Sequence, residues 1–221
     1  MNIIYLLFHG LSPYSGISKK ILYQVKGFET CGHRVSLCTY SIADNGHRVR
    51  MINDEIIDDY GTGKPAAAKR RVSYQCIYRY AVTHQVELIY VRSFHNANPF
   101  TIRLFSKLRK AGIKIAMEIP TYPYDSEYAG FPLVTRLGIQ VDKVFRKTLA
   151  KHVNAIVTFS DYHCIFGQRT IQISNGVDFD SIPLKKTVAK NTSVIHLLGV
   201  AEVHYWHGYD RSLIHISEPT R

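Results

Sequence analysis

Residues 3–8 read IIYLLF, an uninterrupted apolar run that ends at His9-Gly10. Such a run is typical of a central parallel strand that is buried on both faces of a sheet. Residues 12–16, SPYSG, are turn formers, and the apolar residues after them recur at helical spacing as far as Glu29. The start of the chain therefore predicts a strand, a glycine loop and a helix.

The same alternation continues along the chain. Further strands are predicted at residues 34–39, 48–52, 87–92, 114–119, 154–159 and 170–173, and further helices at residues 65–85, 99–111 and 133–152. Strands that alternate with helices of this length predict an α/β fold, a Rossmann-like parallel sheet flanked by helices on both faces. Ligands of such sheets bind beyond the carboxyl ends of the strands.

The composition favours a folded, basic protein. The chain has 221 residues, is 46% hydrophobic and carries a net charge of +11, which attracts nucleic acid, anionic lipid or a phosphorylated substrate. Its four cysteines lack paired metal spacing and are expected to be reduced, mostly buried thiols in a cytosolic protein. No run approaches the roughly 18 apolar residues of a membrane span. We expect a cytoplasmic protein, with contact at the inner face of a membrane as an option.

Several local patterns follow one another in a fixed order. They are the glycine loop that ends at Gly16, the turn Gly32-His33-Arg34-Val35, the strand Ile156-Val157-Thr158-Phe159-Ser160, the stretch Ile173-Ser174-Asn175-Gly176-Val177-Asp178, and the loop from Ala201 to Gly208. Together they resemble glycosyltransferase family 4, whose members have the GT-B fold of two facing Rossmann-like domains. The loop departs from the family pattern, because Ala201-Glu202-Val203 and His207 stand where Gly-Arg-Leu and a lysine are usual.

The resemblance implies a division of the chain. Residues 1–183 would be the N-terminal, acceptor-side domain, and residues 184–211 the linker and the start of the donor-binding domain. Residues 212–221, SLIHISEPTR, look like a translated sequencing adapter and are expected to be foreign to the fold. The intact protein would be a retaining glycosyltransferase that moves a sugar from a nucleotide-sugar donor to a glycan or lipid-linked acceptor. It would need no cofactor or metal, and this fragment alone is expected to be inactive.

The glycine loop is the candidate donor site. A helix N-terminus carries a partial positive charge and suits an anion, and glycine lets the backbone approach a ligand closely. The resemblance places the donor diphosphate at this loop, so Ser15, Gly16 and, in the second domain, Gly208 are the predicted donor-binding residues. The alternative is a plain connecting turn.

Residues at two other strand ends are the candidate acceptor site. Glu118 is the predicted catalytic residue, because a carboxylate can orient or deprotonate an acceptor hydroxyl. Tyr122, Tyr124 and Asp125 would form a sugar-binding wall, and Arg92 would bind a phosphate. The alternatives are a surface loop with ordinary acids and an exposed, salt-bridging arginine.

The last predicted helix carries apolar residues at every fourth position: Leu133, Leu137, Val141, Phe145 and Leu149. They predict a core-facing stripe, and the basic residues on the other faces leave contact with an anionic membrane as the alternative. A rival function is therefore a non-enzymatic basic module that docks on an anionic membrane or nucleic acid. Signatures of RNA-binding domains are absent, so a nucleic-acid partner is not expected. His204 and His207 lack a third ligand at metal spacing.

Overall fold

The computed structural model of the protein describes residues 1–93, 96–125 and 132–182. Contacts divide the chain into two units, Met1–Phe179 and Asp180–Arg221. Of the second unit only residues 180–182 are described. The predictions for residues 184–211 and 212–221, including Gly208, therefore lie outside the described residues.

The described residues form nine strands and five α-helices. The strands are β1 (Asn2–Leu6), β2 (Arg34–Ile42), β3 (Arg48–Ile52), β4 (Glu55–Asp59), β5 (Leu88–Arg92), β6 (Lys114–Ile119), β7 (Ala155–Thr158), β8 (Cys164–Ile165) and β9 (Gln168–Gln172). The helices are α1 (Gly16–Thr30), α2 (Gly63–Lys69), α3 (Gln75–Thr83), α4 (Pro99–Lys110) and α5 (Leu133–Ala150).

The strands join into one sheet in the order β4-β3-β2-β1-β5-β6-β7-β9-β8. The six strands from β2 to β9 in this order run parallel to one another. At one side β3 and β4 extend the sheet antiparallel, and at the other side β8 pairs antiparallel with β9. The predicted α/β fold with a mostly parallel, Rossmann-like sheet is confirmed.

Strand β1 is buried on both faces, as its apolar run predicts. Ile3 and Tyr5 pack with α1 on one face, whereas Ile4 and Leu6 pack with α3, α4 and the end of α5 on the other. Alternate side chains of a strand point to opposite faces, so a continuous apolar run fills both layers of the core. The helices cover both faces of the sheet, as expected.

The predicted helix at residues 65–85 is wrong in its middle. It is two helices, α2 and α3, separated by a turn in which the backbone N–H groups of Val72 and Ser73 both donate to the carbonyl oxygen of Lys69. Tyr74 follows this turn and is buried, with its hydroxyl donating to the carbonyl oxygen of Arg71 at 2.8 Å. Helical periodicity does not reveal this bend, because the ring of Tyr74 is buried through tertiary contacts.

The predicted core stripe of α5 is correct only at its C-terminal end. Leu149 is buried and Phe145 packs against the core, but Leu133 and Leu137 are 72% and 65% exposed. The other buried residues of the helix are Ile139, Asp142 and Ala150. A repeat of strictly four residues drifts around a helix of 3.6 residues per turn, by about 160° over four steps. The first and last members of the predicted stripe therefore cannot share one face.

Two of the four cysteines differ from their prediction. Cys38 and Cys76 are buried thiols, whereas Cys31 and Cys164 are exposed, and all four are unpaired by disulfides.

Candidate ligand-binding edge of the sheet

The loop between β1 and α1 lies at the carboxyl edge of the sheet. The backbone N–H of Ser12 donates to the hydroxyl of Ser18 at 2.9 Å, and the N–H of Ser15 donates to the carbonyl oxygen of Ser12 at 3.1 Å. Ser15 is the N-cap of α1, but its hydroxyl makes no capping hydrogen bond. The first N–H groups of a helix have no partner within it, so this turn can receive an anion.

Gly16 is the first residue of α1 and is exposed. A Cβ atom built on it would meet no atom within 4 Å. The first turn of α1 also carries no acidic residue that would repel an anion. Donor binding by Ser15 and Gly16 stays a prediction, for which the geometry leaves room.

Gly10, earlier in the same loop, lies against β2. A Cβ atom on Gly10 would come within 2.8 Å of the carbonyl oxygen of Tyr40, and the Tyr40 N–H donates to the carbonyl oxygen of His9 at 3.3 Å. Contacts below 3.0 Å to backbone atoms require something to shift. The loop can follow this path because residue 10 lacks a side chain.

Glu118 and Arg92 form a buried ion pair below this loop. The Arg92 Nη1 donates to Glu118 Oε1 at 2.5 Å, and Glu118 has no exposed surface. The other carboxylate oxygen accepts hydrogen bonds from the Tyr90 hydroxyl at 2.7 Å and from Gln24 Nε2 at 2.9 Å. Lys20 Nζ lies 3.8 Å from Glu118 Oε1. The carboxylate is thus fully engaged by four side chains.

Two cations share this one carboxylate. Lys20, on α1, is partly exposed, with its Nζ 3.5 Å from the centroid of the Phe159 ring. Burial lowers the pKa of Lys20 and Glu118 opposes that effect, while the nearby Arg92 adds to it. Burial, reinforced by Glu118, raises the pKa of Tyr90, so its phenol stays protonated and donates. The cluster leaves one positive charge in excess close to the start of α1.

This geometry bears on both roles predicted for the pair. Arg92 forms a salt bridge, as the alternative predicted, but it is buried and not exposed. A general base must lie within about 2.6–3.2 Å of the heavy atom whose proton it removes, or reach it through one water. Every contact of Glu118 described above is with another side chain of the protein. This arrangement fits a role in which Glu118 positions Lys20 and Arg92. Catalysis by Glu118 and phosphate binding by Arg92 stay predictions.

The three predicted wall residues lie together against α5 and residues 162–166. Asp125 accepts two hydrogen bonds from Arg146, at 2.7 and 3.1 Å, which lower the pKa of its carboxyl. The Tyr124 hydroxyl donates to Asp142 at 2.9 Å, and the ring of Tyr124 is buried. Tyr122 is half-buried and packs edge-on against Tyr162. Of the two tyrosine rings, that of Tyr122 is the more accessible to a sugar.

Three arginines near the loop carried no functional prediction. Arg48 and Arg50 lie on β3, and Arg70 follows α2. The available signal was the alternation Arg48-Val49-Arg50, which puts both arginines on one face of a strand. What places Arg70 beside them is the bend between α2 and α3.

Among residues 1–93, 96–125 and 132–182, no three His, Cys, Asp or Glu side chains gather as a metal site would require. No helix in the same ranges combines the length and apolar character needed to cross a bilayer. Comparison with family models, with curated proteins and with solved structures found no match to this chain.

Proposed function

We propose that the chain is the acceptor-side part of a retaining glycosyltransferase that transfers a sugar from a nucleotide-sugar donor to a glycan or lipid-linked acceptor. One observation carries the proposal. The uncapped first turn of α1 lies at the carboxyl edge of a parallel sheet, and Lys20, in the next turn, shares one buried carboxylate with Arg92. The ordered motifs, which include Asn175-Gly176-Val177-Asp178, resemble glycosyltransferase family 4 and through that resemblance support a nucleotide-sugar donor.

The chemistry of this site would be electrostatic. Departure of the sugar from a nucleotide leaves a diphosphate, and fixed donors aimed at developing charge lower the barrier to its release. The N–H of Gly16 and the hydroxyl of Ser15 would contact a phosphate oxygen, and Lys20 would add a positive charge. Glu118 would hold Lys20 and Arg92 in place. The retaining outcome rests on the family resemblance alone.

Transfer can be measured on the protein encoded by the complete reading frame that contains this chain. Each common nucleotide sugar would be incubated with glycan and lipid-linked acceptors, and both product mass and released nucleoside diphosphate recorded. We expect one donor to be consumed, and Lys20→Ala to slow its consumption by about tenfold or more, the scale of one lost charge-assisted contact.

Lys114→Ala is the matched control, because Lys114 is exposed at the amino end of β6 and far along the strand from the carboxyl edge. It removes the same charge and should leave turnover unchanged. The absence of both transfer and donor hydrolysis with every nucleotide sugar tested would refute the proposal.

A separate observation favours docking on an anionic membrane. Leu133, Val134, Leu137 and Val144 are exposed on α5, opposite the inward face that holds Ile139 and Asp142. At about 100° per residue these apolar side chains share one side of the helix. Basic residues flank them: Arg136, Lys143, Lys147 and Lys151. An apolar strip with a basic flank suits reversible binding at the surface of an anionic bilayer.

Vesicle flotation tests this second candidate. We expect the chain to float with vesicles of anionic lipid but not with vesicles of zwitterionic lipid, and Leu137→Asp with Val144→Asp to abolish flotation. Val82→Asp is the control, since Val82 is also exposed but lies on α3. Equal loss in both variants, or tighter binding to RNA than to vesicles, would count against a membrane partner.

A further inference from the structure

Three arginines from neighbouring elements lie close to one another near Tyr40; we call Arg48, Arg50 and Arg70 the arginine cluster. Arg48 Nη1 donates to the Tyr40 hydroxyl at 2.6 Å, and the guanidinium carbon of Arg70 lies 4.2 Å from the Tyr40 ring centroid. Arg50 is the register partner of Tyr40 across the β2–β3 pair, so both point to the same face of the sheet. Residues from β2, β3 and the end of α2 thus meet at one place.

Arg50 is the most deeply buried member of the cluster. It is 1% exposed, and its Nη1 donates to the carbonyl oxygen of Leu7 at 2.7 Å. Within the part of the chain that the structure describes, the buried Nε atoms of Arg50 and Arg70 have no hydrogen-bond partner. A buried N–H of a charged group is costly when it is left without an acceptor.

The described part of the chain offers the cluster little negative charge. Among the described residues, none of its three arginines lies within ion-pair distance of an acidic side chain. On β4, Asp59 binds His47 at 2.8 Å, whereas Asp58 is the register partner of Arg50 and interacts with the Cys76 thiol. Within the described residues, three guanidinium groups therefore face one neighbouring carboxylate, and the cluster keeps a net positive charge.

The electrostatics of Arg70 agree with this geometry. Burial lowers the pKa of Arg70, and repulsion from Arg71, Arg48 and Arg50 lowers it further, while Tyr40 opposes the shift. Arg70 is half-buried and Arg71 beside it is exposed. The cluster is thus open to solvent on the side of Arg70 and closed at Arg50.

The cluster borders the loop that carries the candidate donor site. Arg50 binds the carbonyl of Leu7, directly after β1, and its guanidinium carbon lies 6.0 Å from the centroid of the Phe8 ring. Gly10 lies against the carbonyl of Tyr40 in the same loop. An anion held by the cluster would therefore lie at the same edge of the sheet as α1.

We propose that the arginine cluster binds a phosphate group, and that this phosphate belongs to the acceptor. Guanidinium forks match phosphate oxygens in pairs, and three cations suit a group with two charges and three oxygens better than a carboxylate with one charge. The assignment to the acceptor rests on the proposed function, whereas phosphate binding by the cluster does not. The acceptor phosphate would be that of a sugar phosphate or of a lipid phosphate.

Phosphate binding can be followed by NMR of the arginine Nε–H groups in the 221-residue chain, titrated with inorganic phosphate at an ionic strength of about 0.15 M to screen weak surface contacts. We expect the Arg50 and Arg70 signals to shift together and saturate. Arg70→Ala should weaken binding by about tenfold. Arg79→Ala should not, because Arg79 is exposed on α3 and removes the same charge. The proposal would be overturned if Arg70→Ala left the phosphate affinity unchanged, or if Arg70→Ala and Arg79→Ala lowered it equally.

Further arms separate the possible sites and sources. Lys20→Ala should keep the phosphate response of the cluster; its loss there would show that the anion binds at α1 instead. Glucose 1-phosphate against glucose tests a sugar phosphate, and vesicles with phosphatidic acid against phosphatidylcholine test a lipid phosphate. A response to either phosphate form supports the proposal, and a response to neither overturns it.

The two proposals fail in different ways. Phosphate binding without any sugar transfer by the complete protein would refute the proposed function and leave the anion site standing. Efficient transfer to an acceptor without phosphate, with KM unchanged by Arg70→Ala, would refute the inference about the acceptor and leave the function standing.

Discussion

The carbonyl oxygen of Tyr40 lies 2.8 Å from the position that a Cβ atom of Gly10 would occupy. This contact ties the β1–α1 loop to β2 and brings the candidate donor loop and the arginine cluster to one edge of the sheet. Gly10→Ala must therefore move backbone. We expect the free energy of unfolding to fall by about 1–3 kcal/mol, as in other overpacked sites.

Gly16→Ala is the matched control for this prediction. Nothing lies within 4 Å of its Cβ position, and alanine restricts the unfolded chain, so stability should be unchanged or higher by up to about 1 kcal/mol. Urea unfolding of both variants gives the comparison. Equal effects would mean that the contact between Gly10 and Tyr40 does not constrain the loop.

Two helix caps should differ in their contribution to stability. Asn98 caps α4: its side chain accepts from the N–H groups of Phe100 and Thr101, and the Thr101 hydroxyl accepts from the Asn98 N–H. Asn98→Ala should cost about 0.5–2 kcal/mol. Ser15→Ala should change stability by less than about 0.5 kcal/mol, because the Ser15 hydroxyl makes no capping bond. A larger loss in Ser15→Ala than in Asn98→Ala would contradict this reading of the two caps.

The role of Glu118 can be decided by comparing stability with turnover. Removing one partner of a buried ion pair leaves a charge uncompensated, so Glu118→Gln should lower the free energy of unfolding by about 3–5 kcal/mol. Replacing Glu118 and Arg92 together by methionine should recover most of that loss. A Glu118→Gln protein that unfolds like the wild type yet loses transfer would instead support the acceptor-base role.

Asp142 should make stability depend on pH. It is buried, and it accepts hydrogen bonds from the Ala97 N–H at 3.0 Å and from the Tyr124 hydroxyl. Burial raises its pKa above the ordinary value of 3.8, and the two hydrogen bonds partly oppose the shift. The folded state therefore holds the proton more tightly, and the contribution of Asp142 to stability is largest below that ordinary value and falls as pH rises through the folded pKa.

Asp142→Asn removes this titration while keeping an acceptor for Ala97. Relative to the wild type it should be most stable at neutral pH and lose that advantage in acid, measured by urea unfolding from about pH 3 to 8. Asp142→Ala leaves the Ala97 N–H without an acceptor and should cost about 1–3 kcal/mol at neutral pH. A difference between wild type and Asp142→Asn that is constant with pH would show that Asp142 does not titrate in this range.

The fold was largely predictable because its signals are local. The apolar run of β1 needs no partner to be recognised, and Gly32 and Gly112, each at positive φ, follow the ends of α1 and α4. Strand β4 was missed because its carboxylates make EIIDD a poor strand by composition. It pairs because Asn53, at positive φ, turns the chain back from β3.

The candidate site was predictable only in part, because its residues meet through tertiary contacts. Strand ends pointed to Arg92 and Glu118, but nothing in the sequence indicated that the two pair with each other and with Lys20. Arg50 reads as a surface residue of a short strand, and its burial follows from α2, α3 and the β1–α1 loop closing over it. Periodicity likewise could not show which side of α5 faces the core.

Strand β4 ends one side of the sheet, and its outward backbone groups have no neighbouring strand among the described residues. This short edge strand carries three carboxylates in five residues, those of Glu55, Asp58 and Asp59. If the β4 strands of two copies paired edge to edge, their carboxylates would repel one another. Charged edge strands resist such pairing. We therefore expect this acidic edge to disfavour pairing between the sheets of separate copies.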